Sequence, residues 1–371
     1  MFKLIVLLWL IAVLIYGLKL NELRLCRWPD STSGGPAERI SLSVIIPFRN
    51  EALNLPLLLQ SLKRALPVDY PVELIGVDDF SQDDSANVFR QYARGLDFRL
   101  LESRRKSASP KRDAQSRGIA EARGDWILLL DADTQVPKGY FQALKRELLS
   151  RPAATFRPGP VVLDADGGGF WPRWQQYENL WLQSLTHFSA RCGNALMANG
   201  AHLVFRKDRF MALGGFSDAP AVAGGDDMYL LLAWKRRFPG EILPLDVQPE
   251  LMVHTRAVSG FGSLLRQRLR WARKSRRLND ARIRRWALWQ ALVFTGFFAS
   301  IVSPLYWIMI NLMWMSAEYA FTEVFRRKSA YRMCWVRELI YHFIRPVVYL
   351  IVFIGVWLPV PVRWKGRRFA M

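Results

Sequence analysis

The sequence is poor in the residues that bind structural metals or form disulfides. Its 371 residues include three cysteines and four histidines. Cys26, Cys192 and Cys334 lie far apart and show no metal-ligand spacing, and the histidines are equally dispersed. We therefore expect a reduced compartment and no structural zinc.

Two glycine-rich motifs that cradle phosphates are also missing. No Gly-x-Gly-x-x-Gly follows the first apolar strand, and the sequence contains no Walker P-loop. These absences disfavour a dinucleotide fold and a P-loop enzyme. Any bound phosphate must then be held differently. A divalent cation that bridges carboxylates and a diphosphate would serve, because Mg²⁺ and Mn²⁺ prefer oxygen ligands.

Acidic residues are scarce relative to basic ones, and the formal net charge is +20. Such an excess can indicate nucleic-acid binding. Here, however, the segment from Arg256 to Arg285 holds eleven basic residues and one acidic residue, Asp280, and a long apolar run follows it directly. This position is typical of a segment that faces anionic lipid. We predict a membrane-surface segment and no nucleic-acid partner.

The long apolar runs lie near the two ends of the chain. Leu4 to Leu18 is uncharged, and the absence of a small-x-small site after it favours an uncleaved anchor over a signal peptide. Residues 286–317 are uncharged, too long for one crossing, and interrupted by Pro304. Residues 346–362 form another uncharged run. The sequence thus predicts one amino-terminal and about three carboxy-terminal crossings.

The flanking charges predict the orientation of the first crossing. Lys19, Arg24 and Arg27 follow the run, whereas Lys3 precedes it, so the positive-inside tendency predicts a multi-pass protein of the cell (inner) membrane with a cytoplasmic central domain. Three further crossings would leave the basic tail 364–368 outside. Either one segment is re-entrant or the rule fails there.

The central part of the chain alternates strand and helix signals after a polar linker. This alternation predicts right-handed crossovers and a parallel sheet whose ligands collect at the carboxyl ends of the strands. The predicted strands are 42–46, 72–77, 98–101 and 126–130, and the predicted helices are 51–65, 83–94 and 111–123.

Acidic residues follow two of these strands. Asp78 and Asp79 come after the second strand, and Asp131 and Asp133 come after the fourth. Because parallel strands end at one edge of a sheet, we expect both clusters along one rim. Carboxylates two residues apart at a strand end could direct one oxygen towards a metal ion and the other towards a ribose.

Two further segments carry chemistry-bearing residues. Gly224-Gly225-Asp226-Asp227 precedes an apolar helical pattern, so its acids either cap a helix or supply a base for proton removal. Gln267, Arg270 and Trp271 share one face of a predicted helix, which lies on lipid or gathers these side chains at a site.

Together these motifs resemble those of the membrane-bound family 2 glycosyltransferases with a GT-A fold, relatives of cellulose, chitin and hyaluronan synthases and of ceramide glucosyltransferases. The resemblance covers about residues 41–277. It rests on the order and spacing of Val77-Asp78-Asp79-Phe80-Ser81-Gln82-Asp83, Asp131-Ala132-Asp133, Gly225-Asp226-Asp227 and Gln267-x-x-Arg270-Trp271.

The resemblance implies roles for individual residues. Asp79 would contact the nucleotide base with support from Asp78, Asp131 would lie near the ribose, and Asp133 would bind Mg²⁺ or Mn²⁺. Asp227 would be the general base of an inverting displacement. The remaining implied nucleotide-sugar contacts are Pro47, Glu51 and Lys111, and the implied acceptor and diphosphate contacts are Asp226, Gln267, Arg270 and Trp271.

The sequence departs from the family pattern at two of these places. Asn199-Gly200-Ala201-His202 resembles the segment beneath the acceptor, but relatives often carry Asn where this chain has His202. Asp226 stands where many relatives have Glu, and the charge is retained. We read the four histidines as structural, with His202 as the strongest candidate for an exception.

The resulting expectation is an α/β, Rossmann-like GT-A domain with membrane helices on both sides. It would transfer a sugar by inversion from a nucleotide-sugar, with uridine as the expected base, to a membrane lipid or lipid-linked glycan. A processive polysaccharide synthase, a non-catalytic lipid-binding scaffold and, less favoured, a nucleotidyltransferase are the alternatives. The expected divisions are anchor 1–29, linker 30–38, GT-A domain 39–255, basic interfacial helix 256–285 and membrane module 286–371.

Overall fold

The structure of the protein is a computed structural model. It describes residues 2–26, 40–66, 70–104, 107, 109–165, 167–216, 225–299, 301, 303–329, 331–358, 362–364 and 367–369. The predicted linker and Gly224 lie outside these ranges.

A six-stranded sheet forms the centre of the protein. Its strands are β1 (Leu42–Phe48), β2 (Val72–Asp78), β3 (Phe98–Glu102), β4 (Trp126–Leu130), β6 (Phe156–Pro158) and β8 (His202–Arg206), in the order β3-β2-β1-β4-β8-β6. The first four strands in sequence are mutually parallel, as predicted, but β8 pairs antiparallel with both β4 and β6. The sheet is therefore mixed rather than parallel. The short β6 offered little periodic signal in the sequence.

Helices cover both faces of the sheet, and β1 is buried along its whole length. The helices are α2 (Leu55–Ala65), α3 (Ser85–Ala93), α4 (Pro110–Glu121) and α5 (Tyr140–Ser150). Leucines of α2 pack on one face, while Ala114 and Ile119 of α4 pack on the other. Pro56 lies in the first turn of α2, where its missing N–H has no helical partner to lose.

A smaller sheet extends from the end of β4. Its elements and their neighbours are β5 (Thr134–Gln135), β7 (Val161–Asp164), β9 (Val253–Arg256), α6 (Phe170–Arg191), α7 (Lys207–Ala212), α8 (Asp226–Arg237) and a 3₁₀ turn at Pro249–Leu251. The strand order is β5-β9-β7, and β5 begins directly after Asp133. The long helix α6 packs against β7.

The remaining helices form a layer that packs against α6, and within it the first helix contacts carboxy-terminal ones. The elements are α1 (Phe2–Leu25), α9 (Phe261–Ser275), α10 (Ala281–Ala299), α11 (Pro304–Lys328), α12 (Trp335–Trp357), β10 (Val362–Trp364) and β11 (Arg367–Phe369). Helix α1 contacts α10 and α11, and α9 contacts α12. As predicted, the apolar run 286–317 is broken before Pro304, which begins α11.

Two helices in the described part of the chain are long and apolar enough to cross a membrane, at Val6–Leu25 and Trp335–Trp357. The prediction of about four crossings is wrong in number. Arg282, Arg284 and Arg285 occupy the start of α10, and Asn311 and Glu318 lie within the apolar part of α11, so the mean hydropathy of both helices is lowered.

The last candidate span also begins earlier than expected. Arg345 and Pro346, taken as the boundary of an apolar run, lie inside α12. The Arg345 guanidinium donates to buried Glu318 of α11, and Arg326 of α11 pairs with Glu338 at 2.8 Å. Pairing between helices lets α12 retain these charges, and sequence hydropathy does not detect such pairs.

Candidate active site

The parallel strands bring two acidic segments to one edge of the central sheet. In the register of the sheet, Phe48 of β1 lies opposite Asp78 of β2, and Ile45 lies opposite Leu129 of β4. The strand order reverses between β1 and β4, which makes this point a topological switch. Asp79 and Asp131 therefore follow neighbouring strand ends on either side of β1.

Hydrogen bonds join the loops that follow β1 and β2. Asn50 accepts from the backbone N–H of Gln82 at 2.8 Å, and its own N–H donates to the Ser81 hydroxyl at 3.1 Å. Asp78 accepts from the N–H of Ser81 at 2.9 Å. Asp78 thus stabilises the loop after β2, while its neighbour Asp79 is buried against the loop after β1.

Two residues in these loops have left-handed backbone conformations. Asn50 has φ of 52° and Phe80 has φ of 55°, a region that costs a bulky residue about 1–3 kcal/mol. The Arg49 guanidinium donates to the carbonyl oxygens of both Asp79 and Phe80, the first at 2.7 Å. Strained backbone that is held by surrounding contacts in this way is common in loops that bind ligands.

The other two residues assigned to this region lie near the end of β1 and in the loop that follows it. Pro47 lies in β1 opposite Val77. Glu51 is buried, accepts from the Asn54 side chain at 2.7 Å, and donates its backbone N–H to Ser85 at 2.7 Å.

The end of β4 carries an ion pair beside a second carboxyl group. Lys111, in the first turn of α4, donates to Asp131. Burial lowers the pKa of Lys111, but Asp131 and Asp226 outweigh it, so the net pKa is raised. Burial and the charge of Asp131 raise the pKa of Asp133 to about 6. A cation bound beside Asp133 would therefore strongly favour the ionised form of this carboxyl group.

The acids at the start of α8 are fixed in different ways. Asp226 is buried, lies 3.2 Å from the Arg112 Nε and accepts from the Ser109 hydroxyl at 3.1 Å. Asp227 accepts from the backbone N–H of Gly200 at 3.0 Å through Oδ2 and from that of Met228 at 2.9 Å through Oδ1. Burial raises the pKa of Asp226 even though Lys111 opposes it.

Helix α9 directs two cations towards these acids. Burial lowers the pKa of Arg270, while Asp131, Asp227 and Asp226 act to raise it. Burial and then the charge of Arg270 lower the pKa of Lys274 to about 8, against the pull of Asp226 and Asp227. Residues from four separated stretches of sequence therefore interact electrostatically in one place: Lys111, Asp131, Asp226, Asp227, Arg270 and Lys274.

A buried ion pair holds α9 against the rest of the protein. Arg268 donates to Glu178 of α6 with an Nε to Oε2 distance of 2.9 Å, and the Tyr349 hydroxyl of α12 donates to the same carboxylate at 2.7 Å. Arg268 also donates to Gln267 Oε1 at 2.5 Å and lies 4.3 Å from the centre of the Trp271 ring. Gln267 and Trp271 are thus tied to this anchor.

Sequence reasoning missed Lys274, Arg112 and Ser109. Lys274 lies one helical turn beyond Arg270, so helical spacing could have included it. Arg112 directly follows Lys111, yet its contact with Asp226 joins positions that are far apart in sequence and no periodicity predicts it.

His202 is a structural residue rather than an exception among the histidines. Its side chain is fully buried, with Nε2 2.7 Å from the Tyr140 hydroxyl and Nδ1 3.0 Å from the Pro160 carbonyl oxygen. Burial lowers its pKa to about 4, so the ring is neutral near pH 7. It joins β8 to α5 and to the start of β7.

The residues at this edge fit a divalent ion that shares its coordination with a substrate. Within the described ranges, no group of three or more His, Cys, Asp or Glu side chains is placed to hold a metal. Mg²⁺ sites, however, often use one or two carboxylates and complete their shell with phosphates and water. Asp133, with Asp131 beside it, supplies the carboxylates for such a site.

Comparison with known proteins finds a family model that matches part of the chain. Residues 43–214 match the family model described as glycosyl transferase family 2. Residues 43–214 are therefore similar to family 2 glycosyltransferase domains, in agreement with the family resemblance inferred from the sequence. The segments that carry Asp226, Asp227 and α9 lie beyond the matched residues.

Two curated relatives are similar over part of the chain. An undecaprenyl-phosphate 4-deoxy-4-formamido-L-arabinose transferase of Shewanella sediminis is 35% identical over 97 residues, which cover 26% of this chain and 29% of the relative. A dolichyl-phosphate beta-glucosyltransferase of Dictyostelium discoideum is 33% identical over 107 residues, covering 26% of this chain and 32% of that protein. The chain thus matches about a third or less of the length of these relatives.

A solved structure resembles the chain over nearly its whole length. A mannosyltransferase from Pyrobaculum calidifontis, in complex with GDP-Man and Mn²⁺, has a TM-score of 0.59 and 17% sequence identity, covering 96% of this chain and 99% of that one. At this identity the likeness concerns the fold. The fold is α/β and GT-A-like, built on a mixed sheet.

Proposed function

We propose that the protein is an inverting, metal-dependent glycosyltransferase that moves a sugar from a nucleotide-sugar to an acceptor carried by a membrane lipid. One observation carries the proposal. Three cations and three carboxylates interact at the carboxyl edge of the sheet, where a parallel α/β fold receives its ligands. The alternation of charge suits a donor whose diphosphate must be neutralised beside acids that contact sugar and acceptor.

The nucleotide would lie against the joined loops after β1 and β2. Asp79, supported by Asp78, would contact the base, with Pro47 near the end of β1 and Glu51 in the loop that follows. Asp131 would face the ribose. The left-handed residues Asn50 and Phe80 give these loops a fixed shape before any ligand arrives, and preorganisation of this kind reduces the entropy cost of binding.

The diphosphate would be held on the side of α9. Arg270 and Lys274 are the cations that this helix contributes, and Lys111 lies opposite them in α4. Asp133 would hold Mg²⁺ or Mn²⁺, which when bound would supply charge neutralisation at the leaving diphosphate. Gln267 and Trp271, on the same helix, would line the acceptor entrance.

Asp227 would act on the acceptor. As the acceptor oxygen bonds to the anomeric carbon, the bond from that carbon to the diphosphate breaks and a hydroxyl proton passes to the Asp227 carboxylate. The N–H donors of Gly200 and Met228 keep this carboxylate oriented. Neighbouring Asp226, tied to Arg112 and Ser109, would help to position acceptor and diphosphate.

The membrane-borne acceptor is supported by two independent features. The relatives named above act, by their names, on undecaprenyl phosphate and dolichyl phosphate. Helices α1 and α12 include the two candidate spans and pack with the other helices beside the catalytic domain. We place the protein in the cell (inner) membrane, with the domain on the cytoplasmic side.

The first experiment is a donor screen. The full chain, purified in detergent, is incubated with a panel of nucleotide-sugars and with Mg²⁺, Mn²⁺ or EDTA, and release of nucleoside diphosphate is measured. We expect one donor to be turned over in a metal-dependent way, and turnover to rise when lipid acceptor is added. Failure of every donor, with no binding of nucleoside diphosphate by calorimetry, would contradict the proposal. The length of the glycan product separates single transfer from processive synthesis.

The second experiment tests Asp227. We expect Asp227→Asn to lower turnover by about 10²–10⁴-fold, the usual contribution of a positioned base. The donor Kd should stay within about threefold, because the cations Lys111, Arg270 and Lys274 remain in place and the amide oxygen of the variant still accepts from the Met228 N–H. Asp208→Asn, at an exposed carboxylate of α7, is the matched control. Turnover of Asp227→Asn close to wild type would remove Asp227 from the mechanism.

A further inference from the structure

A cavity of about 320 Å³ lies away from the sheet edge described above, between β7, α6 and the connection from α11 to α12. Its wall includes residues 161–165 of β7 and the following turn, and its floor includes Phe325 and Ser329 at the end of α11. Cys334, Arg337 and Tyr341, at the start of α12, close another side. The cavity therefore adjoins the beginning of the candidate membrane span Trp335–Trp357.

The charges around the cavity are mainly positive. Arg173, Arg332 and Arg337 are among its lining residues, and Asp164 is the acidic residue among them. Asp164 already lies 3.0 Å from His254 Nδ1 on the neighbouring strand β9. An excess of arginine charge in a concave site favours an anionic group, and arginine matches phosphate oxygens through paired N–H donors.

Other side chains give the cavity a polar side and an apolar side. The Ser329 hydroxyl is buried and has no hydrogen-bond partner, so it offers a donor to whatever occupies the space. The amides of Gln176 and Asn179 donate to carbonyl oxygens of β7, each at 2.8 Å, and stiffen the wall. Phe325 and Leu180 add apolar surface. A polar anionic head with an apolar neighbour is the chemistry that this lining would accept.

The small sheet separates this cavity from the candidate active site. Its strand order is β5-β9-β7, so β9 lies between β7, which lines the cavity, and β5, which follows Asp133. The arginines of the cavity are also distinct from Lys111, Arg270 and Lys274. The residues proposed to hold the donor diphosphate thus lie elsewhere, and the cavity offers a separate place for an anionic group.

We propose that this cavity binds the phosphate group of a membrane lipid. The arginines and the Ser329 hydroxyl would hold the phosphate, and the apolar side would contact the first part of the lipid chain or glycerol. Its place at the start of α12 sets it at the level where lipid headgroups meet a spanning helix. The phosphate would come either from an anionic phospholipid or from a polyprenyl phosphate.

The test measures lipid binding by native mass spectrometry of the full chain in detergent. The added lipids are phosphatidylglycerol, a polyprenyl monophosphate and, as the lipid without phosphate, diacylglycerol. The cavity variant is Arg332→Gln with Arg337→Gln. Its matched control is Arg327→Gln with Lys328→Gln, which removes the same charge from exposed positions at the end of α11 that do not line the cavity.

We expect at least one phosphate lipid to bind wild type more than tenfold more tightly than diacylglycerol. The cavity variant should lose at least tenfold in affinity for that lipid and the control less than threefold. Whichever phosphate lipid shows this pattern identifies the source of the group. Equal losses in both variants, or equal binding of diacylglycerol, would overturn the proposal.

A second variant protects the test against misfolding. Ser329→Ala removes one hydroxyl and no charge, and we expect a two- to threefold loss of phosphate-lipid affinity with an unchanged melting temperature. Unchanged affinity in Ser329→Ala, together with unfolding of the double variant, would also count against the site. No donor sugar is present in these measurements, so their outcome does not depend on the proposed transferase activity.

Discussion

The ion pair between Arg268 and Glu178 permits a quantitative test of how α9 is held in position. Both side chains are almost fully buried, at 5% and 1% exposure, and they join α9 to α6. The perturbation is Glu178→Leu, which leaves the Arg268 guanidinium buried without its carboxylate. The Tyr349 hydroxyl loses its acceptor in the same variant.

The expected cost follows from what remains around Arg268. Removing one partner of a buried ion pair costs about 3–5 kcal/mol. Gln267 Oε1 and the face of Trp271 stay in contact with the guanidinium, so we expect the lower end, about 3 kcal/mol of unfolding free energy. Replacing both partners by leucine removes the unpaired charge, and the double variant should recover about 2 kcal/mol of that loss.

The assay is denaturant unfolding of the purified protein in detergent for Glu178→Leu, Arg268→Leu, the double variant and wild type. Arg327→Leu, at a side chain that is 78% exposed, is the control and should change stability by less than about 1 kcal/mol. Donor affinity should fall in Glu178→Leu, because Arg270 and Lys274 are on the helix that the pair anchors. A coupling energy below about 1 kcal/mol in the double-mutant cycle would refute the reasoning.

Two further predictions concern pH. Because the pKa of Lys274 is about 8, its charge is lost as the pH rises through that value, so affinity for nucleoside diphosphate should fall by up to about tenfold between pH 7 and pH 9. Calorimetry on Lys274→Arg should show a flatter profile, and an equally steep one would contradict this assignment. Burial raises the pKa of Glu73, but hydrogen bonds from Ser43, Arg123 and Arg99 lower it further, to about 2 from an ordinary 4.5. Its ionised form therefore stabilises the fold above about pH 4.5. As the pH falls from 5 to 2, the unfolding free energy of wild type should fall by about 2 kcal/mol more than that of Glu73→Gln, measured by denaturant unfolding. Equal losses in the two proteins would contradict this prediction.

Much of the α/β domain could be predicted from local patterns. The apolar run WILLL predicts a buried strand at 126–130, and β4 has those bounds. Leucine spacing and the position of Pro56 predict α2. Because parallel strands end at a common edge, the positions of Asp79 and Asp131 after their strands were enough to bring them together. Spacing along a helix likewise puts Gln267, Arg270 and Trp271 on α9.

Other features depend on contacts between residues that are distant in sequence. The antiparallel β8 and β6, the burial of His202 and the pairing of Arg345 with Glu318 all arise when separate segments pack together. The pairing of Arg345 with Glu318 lets a charged residue lie within α12. Hydropathy alone predicts the end of the apolar segment at Arg345.

The sequence by itself determined the strand and helix periods, the acidic strand ends and the family motifs, because each is a property of neighbouring residues. Tertiary structure alone decided that Lys274 and Arg112 face Asp226, that Glu178 anchors α9, and that arginines from α6 and the α11–α12 region surround one cavity. Those outcomes depend on how elements dock. Docking is set by burial and charge pairing across the whole chain, which no local pattern records.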